Sequence, residues 1–148
     1  MMNPTILYEV KSLSNLVGRQ IDRALSLDSG DNPTGMQGFV LGYLGGNRDK
    51  DVFQRDVETE FQIRRSTATG ILQLMEKGGL IERRPVAYDA RLKKLVLTEK
   101  ASRSYENVMR IIHSIDELAE SGLTKSEIET FLNVLHKMQK NLEQGVSQ

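Results

Sequence analysis

Apolar residues recur at Ile6, Val10, Leu13, Val17, Ile21 and Ala24 with spacings of three and four, which lines them along one face of a helix. The run 28–33 (DSGDNP) concentrates turn-formers and ends that helix. Thr34 followed by Gln37 has the spacing of a capping box. It opens a second helix with Met36, Val40 and Tyr43 or Leu44 inward and Gly45-Gly46-Asn47 as its stop. Gly38 and Gly42 lie inside it, each costing about 1 kcal/mol relative to alanine. Close packing against a neighbouring helix is the preferred compensation, with a ligand-related role as the alternative. A short third helix carries Phe53 and Val57 up to Phe61, with Asp51 as N-cap and Gln54 three residues on. After Gln62-Ile63-Arg64 comes a fourth with two faces. Ala68, Ile71, Leu72 and Met75 point inward, whereas Ser66, Thr69, Gly70, Gln73 and Lys77 point outward, and Gly78-Gly79 ends it.

The period then changes. Leu80 to Arg84 and Lys93 to Leu97 read as short strands joined by a charged loop, Pro85 to Leu92. Thr98 caps a long helix with the stripe Ala101, Tyr105, Val108, Ile112, Ile115 and Ala119, stopped at Gly122. The last helix opens with the capping box Thr124 to Glu127 and is expected to bury Ile128, Phe131 or Leu132, Leu135, Met138 and Leu142. The fold class expected is mainly α with a small β-hairpin wing. Residues 1–33 form an N-terminal dimerisation helix, 34–97 a winged helix-turn-helix DNA-binding lobe and 98–148 C-terminal dimerisation helices, in one intertwined domain.

Charge sharpens this picture. The 148-residue chain has no net charge, but from Arg64 to Lys94 eight basic residues face only three acidic ones. The surplus of five suggests a lobe that meets a polyanion. The order helix, short helix, break, helix, hairpin is what a winged helix-turn-helix needs. Small outward side chains let the fourth helix enter a major groove about 12 Å wide. Ser66, Thr67 and Thr69 reach phosphates or base edges, and Gln73 suits a two-point contact with adenine. Arg64 and Arg65 reinforce an N-terminal end already favourable to phosphate. The wing contributes Arg83, Arg84, Arg91, Lys93 and Lys94. Arg91 is the candidate for minor-groove insertion, and Asp89, two residues before it, is suited to hold its guanidinium.

The run from 63 to 101 (IRRSTATGILQLMEKGGLIERRPVAYDARLKKLVLTEKA) resembles the signature of the MarR family. Thr67 and Thr69 match in the recognition helix, Gly79 in the turn, Glu82-Arg83 after it, Asp89 and Arg91 in the wing, and Leu95, Leu97 and Thr98 beyond. The chain departs from the pattern at Arg64, where a capping Ser or Asp is usual, at Gly70 and Leu74, where longer polar residues are common, and at Ala101. The resemblance implies a cytoplasmic homodimer whose terminal helices interlock and whose wings straddle a pseudo-palindromic operator. Its recognition helices would lie about 34 to 36 Å apart, one duplex turn. It also implies repression relieved by a small aromatic ligand bound between the two lobes. Tyr8, Tyr43 and Tyr105 are candidates for lining such a crevice, or ordinary core.

Other classes find less support. Two histidines and no cysteine leave no thiolate metal site, disulfide or thiol switch. His113 with Asp116 and Glu117 has a metal-compatible spacing, but an ion pair is the commoner use of it. No phosphate loop, nucleophile elbow or H-E-x-x-H motif occurs, so neither enzyme activity nor a cofactor is expected. No apolar run of about 18 residues exists to span a bilayer, and the start is not a signal peptide. A regulator without small-molecule control, or a helical protein-protein module, is the alternative.

Overall fold

Helix boundaries fall at the polar signals of the sequence, with one exception. The computed structural model describes residues 3, 5–27 and 33–146, so the expected turn at 28–33 lies, except for Pro33, outside the described residues. Those residues form α1 (Ile6–Leu27), α2 (Gly35–Gly46), α3 (Gln54–Glu60), α4 (Arg65–Lys77), β1 (Ile81–Val86), β2 (Asp89–Leu97), α5 (Glu99–Glu120) and α6 (Lys125–Val146). Thr34 and Gln37 make the expected reciprocal cap of α2, and Thr98 Oγ1 accepts from the Ala101 amide at 3.2 Å at the start of α5. The exception is α3. Its cap residue is Phe53, whose amide donates to Asp56 Oδ2 at 2.8 Å. Asp51 is two residues too early for this role and makes other contacts.

The backbone divides into two compact units, Met1–Ile115 and Asp116–Gln148. The core of the first is built from Ile21 and Leu25 of α1, Val40, Leu41 and Leu44 of α2, Val57 of α3, Leu72 and Met75 of α4, Ile81 and Leu95 of the hairpin, and Val108 of α5. The two glycines inside α2 sit where helices meet. A Cβ on Gly38 would lie 3.3 Å from Ile112, and one on Gly42 would lie 3.0 Å from the Met109 sulfur. Close helix packing is therefore the reason for them, and Gly45, where an added methyl group would overlap the Tyr105 ring, is a third case.

The α1 stripe is only half used: Ile21 and Leu25 are buried, but Ile6, Val10 and Leu13 are exposed. In the second unit, α6 begins with the expected capping box. The Thr124 amide donates to Glu127 Oε2 at 2.8 Å and the Glu127 amide to Thr124 Oγ1 at 3.1 Å. Its stripe is not buried as expected. Ile128, Leu135 and Met138 are half-covered, while Phe131, Leu132 and Leu142 are exposed.

The hairpin also differs from expectation. Its strands extend into the assigned loop, so only Ala87 and Tyr88 connect them. Pairing runs from Ile81↔Leu97 to Pro85↔Lys93 and then shifts to Val86↔Asp89. Ala90, Arg91 and Leu92 therefore have no partner across the ladder and bulge from β2. Pro85 has no N–H to continue the ladder, which is where the register breaks.

Candidate nucleic-acid interface

Helix α4 presents its chemistry because the opposite face is fixed. Ala68, Leu72 and Met75 are fully buried, and the Gly79 turn, at φ +74°, directs the chain from α4 into β1. Thr98 Oγ1 donates to the Gly79 carbonyl at 2.6 Å, which holds that turn against the end of the hairpin. On the outer side Arg64, Arg65, Ser66, Thr67, Gln73 and Lys77 are exposed and Thr69 is half-buried. No side chain caps the N-terminus of α4. Its first amides and positive dipole end are thus available to an anion, flanked by Arg64 and Arg65. Leu74, also outward, is 62% exposed and offers no polar group.

The basic residues of the wing occupy three environments. Arg91 lies on the bulge with its side chain 89% exposed. Its Nε and Nη2 donate to the two oxygens of Asp89 at 3.1 and 3.0 Å, and its amide donates to Asp89 Oδ1 at 2.9 Å. This is the pairing expected from the sequence. The side-chain and then the backbone hydrogen bond from Arg91 hold the Asp89 carboxyl below its ordinary pKa, and Asp89 raises that of the guanidinium. Of the five N–H groups of a guanidinium, two are engaged, so three point to solvent from an oriented plane. Arg84 pairs with Glu82 at 2.9 Å, across the ladder from Lys94, while Lys93 is exposed.

Arg83 is different. It lies on the core side of the hairpin, with Nη2 donating to Gln54 Oε1 at 3.4 Å and Nε at 3.8 Å from Glu76. The structure therefore brings Arg64, Arg65, Ser66, Thr67, Gln73, Arg91 and Lys93 to the surface, but turns Arg83 inward and partly covers Thr69.

Two tethers have no local sequence signal. Asp51, in the loop before α3, accepts from the Tyr88 hydroxyl at 3.1 Å and from Lys94 Nζ at 3.2 Å, tying that loop to the tip and stem of the wing. Desolvation first, then the bond to Asp51, raises the Tyr88 pKa. The Leu95 amide donates to the Val52 carbonyl at 2.7 Å, which adds a strand-like bond to the edge of β2. Between this loop, the hairpin and the start of α5 lies a cleft of about 550 Å³ with Arg48, Lys50, Arg84 and Lys94 over Leu44 and Val52. The three tyrosines do not line it. Tyr43 meets the Phe61 ring edge-on, Tyr105 carries the Arg48 guanidinium over its face, and Tyr8 is exposed on α1. Among the described residues no group of three or more His, Asp or Glu is placed to hold a metal ion, and no helix is long and apolar enough to cross a membrane.

A MarR family model matches residues 32–92. The chain is 34% identical to the transcription regulator MarR from Oenococcus oeni PSU-1, whose structure superposes with a TM-score of 0.78 over 92% of this chain and 99% of that one. It is 26% identical to the MepR of S. aureus solved as a DNA complex, with a TM-score of 0.82 over 93% of this chain and 96% of that one. An uncharacterized HTH-type transcriptional regulator of Bacillus subtilis (strain 168), YybA, is 32% identical over 92 residues. That match spans 62% of this chain and 61% of the YybA length.

Proposed function

The chain belongs to the MarR family of transcription regulators, and from that premise we propose that it binds double-stranded DNA sequence-specifically, as a homodimer on a pseudo-palindromic operator. The observation that carries this reading is the uncapped N-terminus of α4, flanked by exposed Arg64 and Arg65 and packed through β1 against a wing that offers an oriented Arg91. Helix α4 enters the major groove with Ser66, Thr67, Thr69 and Gln73. Arg91 enters the adjacent minor groove, and Arg84 and Lys93 face phosphates. Arg83 and Asp89 act one step back, bracing the wing and orienting Arg91. The MepR–DNA complex among the structural relatives supports this assignment. The protein works where the chromosome is, in the cytoplasm, without catalysis or cofactor.

As a repressor it is released by a small aromatic ligand that binds the free and DNA-bound conformations unequally, since only differential affinity shifts such an equilibrium. Selecting bound duplexes from a random library and titrating one of them against salt tests the DNA reading. Log affinity is expected to fall with a slope of about −0.9 per phosphate neutralised. Absent or salt-independent binding overturns it in favour of a protein-protein module. Phenolic compounds that leave the complex intact would remove the ligand-released step alone.

A further inference from the structure

Gln54 stands at the first position of α3 and is half-buried. Its Nε2 donates to Thr69 Oγ1 at 2.9 Å and to the Arg65 carbonyl at 3.4 Å, both on α4. Its Oε1 accepts from Arg83 Nη2, on β1, at 3.4 Å. One amide thus joins three elements, and it does so in a single orientation. Rotated by 180°, it would set its N–H₂ against the guanidinium and its oxygen against the Arg65 carbonyl, donor to donor and acceptor to acceptor. Glu76, 3.8 Å from Arg83 Nε, closes the other side of that guanidinium.

The consequence falls on Thr69. A threonine hydroxyl has one proton and two lone pairs. With the Gln54 amide donating to one lone pair, the proton is left to be donated outward from α4. As a donor in a major groove it suits guanine N7 and O6, thymine O4, adenine N7 or a phosphate oxygen, whereas the amino group of cytosine or adenine can meet only the one lone pair that Gln54 leaves. We infer that Gln54, which itself stays out of the groove, is a specificity-determining positioning residue. By occupying one of the two lone pairs of Thr69 it biases that hydroxyl toward donating to DNA, and it couples the recognition helix to the wing through Arg83. This inference rests on the DNA-binding reading above.

The test uses full-length protein and a random duplex library, with thermal unfolding as a check on folding. Gln54→Glu keeps a partner for Arg83 but has no proton to give Thr69, so the threonine proton turns to the new carboxylate. The expected result is a loss of about tenfold in preference at one base position per half-site, with affinity for unrelated duplex changed less than twofold. Thr69→Val should lose the same preference, and in the Thr69→Val background Gln54→Glu should add less than twofold. If Gln54→Glu melts below the assay temperature, Gln54→Met, of equal length and without polar atoms, takes its place. A wild-type preference retained in the Gln54 variant, or independent effects of the two substitutions, overturns the inference while the DNA reading stands. A wild-type protein that selects no sequence overturns both.

Discussion

Residues 34–98 and the two terminal helices solve the problem of burial differently. Between Thr34 and Thr98 most apolar side chains find cover within the chain, Leu74, Tyr88 and Leu92 excepted, and Thr69, Lys94 and Arg91 are held by Gln54, Asp51 and Asp89. In α1 the first half leaves Ile6, Leu7, Leu13 and Leu16 in the open, and in α6 Phe131, Leu132, Val134 and Leu142 are 45 to 57% exposed. Apolar stripes of that extent on a folded chain mark interaction surfaces. The first region is covered by its own side chains together with the last turns of α1 and the first half of α5, whereas the second leaves its apolar face open. In the homodimer proposed above that face would be covered by a second copy of the chain.

The comparison is broken most strongly by a cavity in the self-contained region. Leu72→Ala removes a fully buried side chain between α4 and its neighbours, and should cost about 2 to 5 kcal/mol in denaturant unfolding at any protein concentration. A loss that disappeared on raising the concentration would mean that this region, too, depends on assembly. The opposite behaviour is expected of α6. Phe131→Glu puts a charge into a stripe that the proposed homodimer would cover, and should then raise the dimer dissociation constant at least a hundredfold, about 2.7 kcal/mol, by sedimentation. An unchanged dimer would place the interface elsewhere.

A smaller effect separates stability from binding within the first region. Arg91→Ala leaves the core untouched, since its side chain is 89% exposed. It should leave the melting temperature within a degree or two and weaken operator binding about tenfold, or 1.4 kcal/mol. Arg83→Ala should instead lower the melting temperature by several degrees in a thermal scan, because Arg83 braces α4 and Gln54 against β1.

That contrast also shows what could be read from the chain before its structure. Contacts that span three or four residues were legible: Thr34 with Gln37, Thr98 with Ala101, Thr124 with Glu127, and Asp89 with Arg91. The α1 and α6 stripes are legible as stripes, and their excess over what one chain can cover points to a second copy; which residues of that copy would lie on them is not legible, because periodicity reports a face and not its partner. The Gln54 bonds to Thr69 and Arg83 cross 15 and 29 residues, and those of Asp51 to Tyr88 and Lys94 cross 37 and 43. Only the assembled fold brings such residues together. The charge of Arg83 matches that of its neighbours, but the alternation of β1 puts Arg84 and Arg83 on opposite sides, and Arg83 turns to Gln54 and Glu76.

The smallest effect concerns the pair that the sequence identified most directly. Asp89→Asn keeps the shape and one acceptor oxygen but removes the charge that orients Arg91. Operator affinity should fall only about two- to threefold at neutral pH, as expected where a guanidinium loses an exposed partner and keeps its charge. The pH dependence gives the sign. The folded-state Asp89 carboxyl is held below its ordinary pKa, first by the side-chain bond from Arg91. Its contribution is therefore complete above the unfolded-state value and is lost as pH falls through the lower folded-state value. Between pH 5 and 8 the difference in melting temperature between the wild type and Asp89→Asn should be flat, and it should close as the solution is made more acidic. A difference that widened on acidification would mean that Asp89 is stabilised in its protonated form, and that the two-point pairing with Arg91 does not govern it.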